Sequence, residues 1–201
     1  QRQMCIRDRA ASFLASGQNV RPTRLLEAGF RFAKPTIEDF FEGTDHAVVD
    51  RLDLHRYMGT WYEIARFDHR FERGLSEVTA TYTLMPDGTV RVENRGCKHK
   101  KPYDVCKTAE GRAKIPDPSQ PGKLKVSFFL SFYSDYYVLE LDQDEYNYAL
   151  IGSSSDKYLW ILSRAPILPE EIKKKLLDAA TRRGYDVKKL IWVEQREKKI
   201  M

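Results

Sequence analysis

The residue types that carry most enzyme chemistry are few and scattered in this chain of 201 residues. Its four histidines, His46, His55, His69 and His99, show none of the spacings of a metal site, and neither H-E-x-x-H nor C-x-x-C occurs. The serines at 153–155 lack the G-x-S-x-G pattern of a nucleophile turn and predict a hairpin loop. We therefore expect surface histidines, and neither a catalytic residue, a metal nor a cofactor.

The three cysteines leave a redox question open. Cys97 and Cys106 bound the segment CKHKKPYDVC, and a short loop between strands would bring them within bridging distance. In an oxidising compartment a disulfide and two free thiols are both open, whereas in a cytosol the two cysteines would stay reduced. Cys5 follows RQM rather than the apolar run of a lipoprotein signal, and no secretory signal precedes it. The chain as written therefore predicts a cytoplasmic protein.

Composition and charge exclude several classes of protein. Apolar residues make up 42% and charged residues 31%, which is typical of a globular domain rather than a disordered chain. No apolar run approaches the length of a membrane span. The net charge of +5 is mixed with many acids, so we expect no nucleic-acid partner. Two lysine clusters predict either solvated faces or a peripheral contact with a membrane surface: Lys98, Lys100, Lys101 and Lys107, and Lys173, Lys174 and Lys175.

The segment from Tyr57 onward consists of short alternating stretches separated by turn formers, which is typical of antiparallel strands. Pro86-Asp87-Gly88 predicts a hairpin turn, and a helical period begins at Pro169 and ends at Gly184. Eight strands, a late helix and a last short strand at 189–194 predict a closed up-and-down barrel with room for one small ligand. The predicted strands are 60–67, 77–85, 89–95, 107–115, 123–132, 135–142, 146–153 and 157–164.

Several motifs resemble those of one family. GTWYEIARFDHRFERGL at 59–75 resembles the first signature of the lipocalins, in their bacterial outer-membrane and apolipoprotein-D-like branch. VTATYTLMPDGTVRVENRG, LKVSFF, DYYVLELD, YNYALIGSSSDKYLWILSR and IWVEQ follow in the family's order, so the resemblance covers about 50–195. It implies an all-β, eight-stranded barrel with one external α-helix. The second signature departs from the family's Thr-Asp-Tyr, because Ser155-Asp156-Lys157-Tyr158 stands there.

The resemblance also implies structural roles for three residues. Gly59 would permit a tight turn into the barrel, and Trp61 would close one end of it. The guanidinium of Arg164 would lie over the Trp61 indole as a cation–π contact, worth about 0.5–2 kcal/mol. These three residues are expected to hold the barrel together rather than to bind a ligand.

Strand alternation then gives candidates for the pocket. By the resemblance, Tyr137 is a pocket aromatic, so its face is taken as inward; plain core packing is the alternative for every candidate. Glu63 shares the parity of Trp61 and is expected either to pair with a buried donor or to meet a ligand's polar head. The pocket candidates are Phe67, Leu124, Val126, Phe128, Tyr137, Leu139, Leu141, Tyr148, Leu150 and Trp160.

The function implied is the binding, storage or transport of a fatty acid, lysophospholipid or similar lipid by a monomer or homodimer. Some lipocalins are isomerases with a pocket thiol, but Cys97 and Cys106 fall outside the expected pocket centre. By the same resemblance the location would be the cell envelope, at the outer membrane or in the periplasm.

The N-terminal residues predict a different origin. SGQNVRPTRLLEAGFRF and PTIEDFF, within residues 10–45, resemble the C-terminal tail of a short-chain-dehydrogenase-like epimerase family. We expect 1–9 to be foreign to the natural protein, 10–49 to be an extension, 50–195 the barrel and 196–201 a tail. The alternative function is an accessory domain fused to a truncated NAD(P)-dependent epimerase or oxidoreductase.

Overall fold

A computed structural model of the chain describes residues 43–99, 103–129 and 132–196, with only the backbone of Phe129. The predicted extension is therefore described only from Gly43, and the segment 1–9 and the last five residues of the tail lie outside the described residues. The nine strands are β1 Gly59–Phe67, β2 Ser76–Leu84, β3 Val90–Lys98, β4 Val105–Lys114, β5 Lys123–Phe129, β6 Phe132–Leu141, β7 Tyr148–Gly152, β8 Leu159–Ser163 and β9 Leu190–Trp192. The helices are α1 Leu54–Tyr57, α2 Glu170–Arg182 and a short 3₁₀ turn at Val187–Lys189.

The strands form a closed antiparallel barrel, as the sequence predicted. Each of β1 to β7 pairs with the next strand, and β1 also pairs with β8, which closes the ring. The short strand β9 lies outside this ring and pairs with the end of β1, where Phe67 stands opposite Leu190. Closure leaves no long exposed edge among the eight barrel strands.

Apolar side chains pack on both faces of the barrel wall. The inner core contains Trp61, Val92, Leu124, Val138 and Ile151. The outer core lies between the wall and α2, whose apolar stripe buries Leu176 and Ala180. Among the described residues, no helix is both long enough and apolar enough to cross a membrane.

Register shifts interrupt four of the described strand pairings, and those in β1 and β6 bear on which pocket candidates face inward. The register between β1 and β8 shifts between Glu63 and Ala65, and the register between β6 and β7 shifts between Val138 and Glu140. A bulge adds one residue to a strand and reverses the alternation beyond it. Val138 and Leu141 both lie in the inner core as a result, although uninterrupted alternation over three residues would place them on opposite faces.

The closed end of the barrel is sealed by Trp61 and Arg164. Trp61 is fully buried and its indole N–H donates to the carbonyl of Tyr57 at 2.9 Å. The Arg164 guanidinium carbon lies 3.9 Å from the centroid of the indole. Its N–H groups also donate to the carbonyls of Arg56, Tyr57, Met58, Thr60 and Tyr146. One side chain therefore ties the end of β8 to α1, to the start of β1 and to the turn before β7.

The β3–β4 hairpin is joined covalently near the other, open end. Cys97 and Cys106 stand directly opposite each other in the register, and a disulfide links them. This bond holds the ends of β3 and β4 together at the point where the connecting loop begins.

Substitution of Trp61 by alanine is expected to lower the free energy of unfolding by about 3–5 kcal/mol, because a large cavity would remain under the Arg164 cap. Arg164→Ala is expected to cost less, since the carbonyls it releases lie near water at the barrel end. Trp192→Ala is the matched control, because that indole is 45% exposed on β9. Urea unfolding of the three variants measures the order. Equal losses for Trp61→Ala and Trp192→Ala would contradict the assigned role of the plug.

Candidate functional site

Five of the ten predicted pocket residues lie on the outside of the barrel. Tyr136 and Val138 occupy the inner face of β6, so Tyr137 and Leu139 point outward into the core beneath α2. The prediction that Tyr137 faces inward is therefore wrong. Phe67 is also outward because the β1 bulge reverses the alternation after Glu63. The residues that belong to the outer core rather than the lumen are Phe67, Tyr137, Leu139, Tyr148 and Leu150.

The other five candidates share the inner face. Leu124 and Leu141 are buried in the inner core, and Val126, Phe128 and Trp160 pack against it while partly accessible. Their part in ligand binding stays a prediction.

A glycine in the neighbouring strand leaves room for one of these side chains. A Cβ atom on Gly111 would lie 2.7 Å from Cδ1 of Phe128, so only glycine permits the phenyl ring to lie against β4 there.

A charged network lies inside the barrel toward its open end. Arg66 is 2% exposed, and its Nη1 donates to Oε1 of Glu63 at 2.6 Å. Its Nη2 donates to the backbone carbonyls of Glu72 and Leu75, at 2.7 and 3.2 Å. Arg66 therefore holds the β1–β2 connection, residues 68–75, against the open end of the barrel, which we call the mouth. Of the two roles expected for Glu63, the structure shows the pairing with a buried donor.

The same connection is also held from β8, the strand next to β1, where Trp160 stands opposite Arg66. The indole Nε1 of Trp160 donates to Oε2 of Glu72 at 3.2 Å, and Nε2 of His69 lies 2.7 Å from the same oxygen. The His69 ring packs edge-on against Trp160, with ring centroids 5.5 Å apart. The sequence analysis did not identify Arg66 or Glu72 as lumen residues. The one feature that could have indicated them is the number of charged residues within the signature at 59–75.

Burial changes the acidity of Glu63. Removal from water, and then the charge of nearby Glu72, raise the pKa of Glu63 to about 8, although Arg66 acts in the opposite direction. A carboxyl group of this kind binds a proton in the folded state at pH values where it is ionised in the unfolded chain.

Three tyrosine hydroxyls lie inside the barrel near Trp61, at the closed end of the interior, which we call the floor of the lumen. The hydroxyl of Tyr136 lies 2.6 Å from that of Tyr57 and 3.0 Å from that of Tyr82. Tyr57 and Tyr82 are buried, while Tyr136 keeps part of its surface accessible. Burial raises the pKa of all three phenols above the ordinary tyrosine value, so they remain neutral donors. Sequence reasoning missed this group because it placed β6 with the opposite face inward.

One cluster near the open end has the side chains of a metal site. Single ligand atoms of Glu77, His99 and Asp104 lie within 4.8 Å of one another. The guanidinium of Arg196 contacts all three, at 3.3 Å from Glu77, 3.1 Å from His99 and 3.2 Å from Asp104. The positive charge that this cluster requires is thus supplied by Arg196, and the lumen is the better candidate site.

Comparison with known proteins agrees with this geometry. A family model described as a lipocalin-like domain matches residues 52–195, and a domain of unknown function, DUF1731, matches residues 5–43. The outer membrane lipoprotein Blc of Citrobacter freundii is 50% identical over 148 residues, covering 74% of this chain and 82% of that protein. Apolipoprotein D of Mus musculus is 35% identical over 156 residues, covering 74% of this chain and 79% of that protein.

A solved structure shares the fold at lower identity. Insecticyanin of the tobacco hornworm Manduca sexta superposes with a TM-score of 0.60 and 24% sequence identity, over 76% of this chain and 86% of that one. The DUF1731 match covers the N-terminal residues that resemble the tail of an epimerase family rather than a lipocalin.

Substitution of Glu63 by glutamine is expected to change the pH dependence of stability. In the parent, Glu63 ionises at about 4.5 when unfolded and at about 8 when folded, so the folded state binds more protons between these values. The stability from Glu63 is therefore fully present below about 4.5 and is lost as pH rises to about 8. The difference in free energy of unfolding between parent and Glu63→Gln, measured in urea across this range, should follow that fall. Parallel curves for the two proteins would show that Glu63 ionises alike in both states.

Proposed function

Because the chain belongs to the lipocalin family, we propose that its barrel binds, stores or transports a small hydrophobic ligand, a fatty acid, a lysophospholipid or a similar lipid. Members of this family are in general binding and transport proteins rather than enzymes. The side chains of the lumen support the same assignment, because its polar groups are held in ion pairs and hydrogen bonds around an apolar middle section.

One observation carries the proposal. The inner face is closed at the Trp61 end, whereas Val126, Phe128, Tyr136 and Trp160 remain only partly buried on that same face. Apolar surface that stays accessible inside a barrel gains free energy when a hydrocarbon chain covers it, at about 0.8 kcal/mol for each methylene. Affinity should therefore depend on the length of the chain more than on the headgroup.

The relatives and the disulfide support a location in the cell envelope. The 50% identical relative is named an outer membrane lipoprotein, and disulfides persist in oxidising compartments such as the periplasm. We propose the same compartment for this protein, with a small lipid as its partner. A peripheral membrane contact through the helix lysines would be compatible with it, since Lys174 and Lys175 are exposed on α2.

The N-terminal residues are proposed to be a unit distinct from the barrel. DUF1731 matches 5–43 and the lipocalin-like domain begins at 52, so the two matches do not overlap. The complete reading frame in the source DNA tests whether they form one natural protein. An in-frame nucleotide-binding fold upstream would support a fusion, and a stop codon before a separate lipocalin start would exclude it.

Titration of a fluorescent fatty acid into the full chain is expected to give saturable binding. Val126→Trp should weaken it at least tenfold, because a large side chain on the inner face of β5 would fill the lumen. Lys125→Trp is the matched control, since the Lys125 side chain lies on the outer face of the same strand and is 42% exposed, so this variant should bind like the parent. Failure of the folded parent to bind any long-chain lipid would overturn the proposal, as would equal binding by the two tryptophan variants.

A further inference from the structure

The three tyrosine hydroxyls at the floor of the lumen cannot all be satisfied by one another. They have three O–H hydrogens but make only two contacts, from Tyr136 to Tyr57 and from Tyr136 to Tyr82. Each contact uses a single hydrogen, so one O–H donor has no acceptor in the part of the chain that the structure describes. Such a buried donor costs free energy until an acceptor meets it.

A buried acceptor lies on the neighbouring strand. Oδ1 of Asn94 is inaccessible to solvent and has no hydrogen-bond partner among the described residues. In the β2–β3 register, Asn94 stands opposite Ala80 and Val92 stands opposite Tyr82. Asn94 is therefore one inward-facing position from the level of Tyr82, on the side toward the open end.

The surroundings favour an uncharged group. The phenols are neutral donors, because burial raises each pKa. The nearest cation, Arg164, lies against Trp61 and is occupied by the backbone carbonyls of the closed end. Arg66, the lumen's buried arginine, is engaged with Glu63 at the mouth. A carboxylate at the floor would thus lack a counter-charge, whereas a hydroxyl group can accept from the tyrosines and donate to Asn94.

We propose that Tyr57, Tyr82, Tyr136 and Asn94 form a polar subsite at the floor of the lumen, which hydrogen-bonds a hydroxyl group at the inner end of the ligand. The inference rests on the proposed lipid binding and narrows its ligand class. The preferred ligand is a lipid that carries an uncharged oxygen at the buried end, in addition to any polar head at the mouth.

The experiment compares palmitic acid with ω-hydroxypalmitic acid, which differs by one hydroxyl at the end of the chain. Calorimetric titration uses the full chain and two phenylalanine variants of adjacent residues. Tyr136→Phe removes the central hydroxyl of the subsite, and Tyr137→Phe removes a hydroxyl on the outside of the barrel. The pair is matched in chemistry and in sequence position, and differs in the face of β6.

The parent is expected to bind the ω-hydroxy acid at least as tightly as palmitic acid. Tyr136→Phe should weaken the hydroxy acid about tenfold, equivalent to one hydrogen bond, and palmitic acid less than twofold. Tyr137→Phe should change neither affinity. Tyr82→Phe removes a different hydroxyl of the same group and should act in the same direction, which keeps the test decisive if Tyr136→Phe fails to fold.

Three results would overturn the subsite. Equal weakening of both acids by Tyr136→Phe would give the hydroxyl a packing role only. Strong preference of the parent for palmitic acid would show that the floor rejects a polar end. Binding of neither acid by the folded parent would instead remove the proposed lipid function, and the subsite with it.

Discussion

The contact of Arg164 with Trp61 is the constraint on which the rest of this fold depends. A barrel closes only if its first and last strands are held in register, and this side chain bridges the end of β8 to the start of β1. The same guanidinium collects the carbonyls at the end of α1, which leaves that helix crossing the barrel end. Closure at one end fixes the direction from which a ligand can enter. Each inward-facing side chain therefore lies either at the floor or at the mouth of the lumen.

Two β-bulges then decide which residues reach the lumen. Glu63 and Arg66 lie on one side of the β1 wall only because the register shifts between Glu63 and Ala65. Without that shift their spacing of three would place them on opposite faces, and the buried hydrogen bond between them could not form. The bulge thus places the Arg66 guanidinium inside the mouth, where it donates to the backbone of the β1–β2 connection.

The sequence predicted the architecture well and the pocket only in part, for physical reasons. In β5, Lys123 and Lys125 alternate with Leu124 and Val126, so one face is polar and the inner face is unambiguous. The strand β6 is apolar on both faces because α2 covers its outer side, and alternation then cannot distinguish Tyr136 from Tyr137.

Bulges are equally hidden from a sequence pattern. Trp61 and Phe67 are six residues apart, so uninterrupted alternation predicts that both face inward. The extra residue in β1 turns Phe67 to the outside of the barrel. The plug itself, by contrast, could be predicted, because the resemblance assigned Trp61 and Arg164 by their motif rather than by alternation. Motifs therefore located the closed end, while the lumen required the structure.

The two polar groups of the lumen differ in charge because only the group at the mouth brings opposite charges together. Arg66 and Glu72 can remain ionised there because each lies beside an opposite charge. At the floor, no comparable pair is present among the described residues, and the polar atoms there belong to phenols and an amide. A neutral group is the form of polarity that a sealed apolar floor can hold at low cost. The lumen thus changes from charged to neutral polarity along its axis, with an apolar middle section between, and an amphiphile with two unlike ends has the same order of groups.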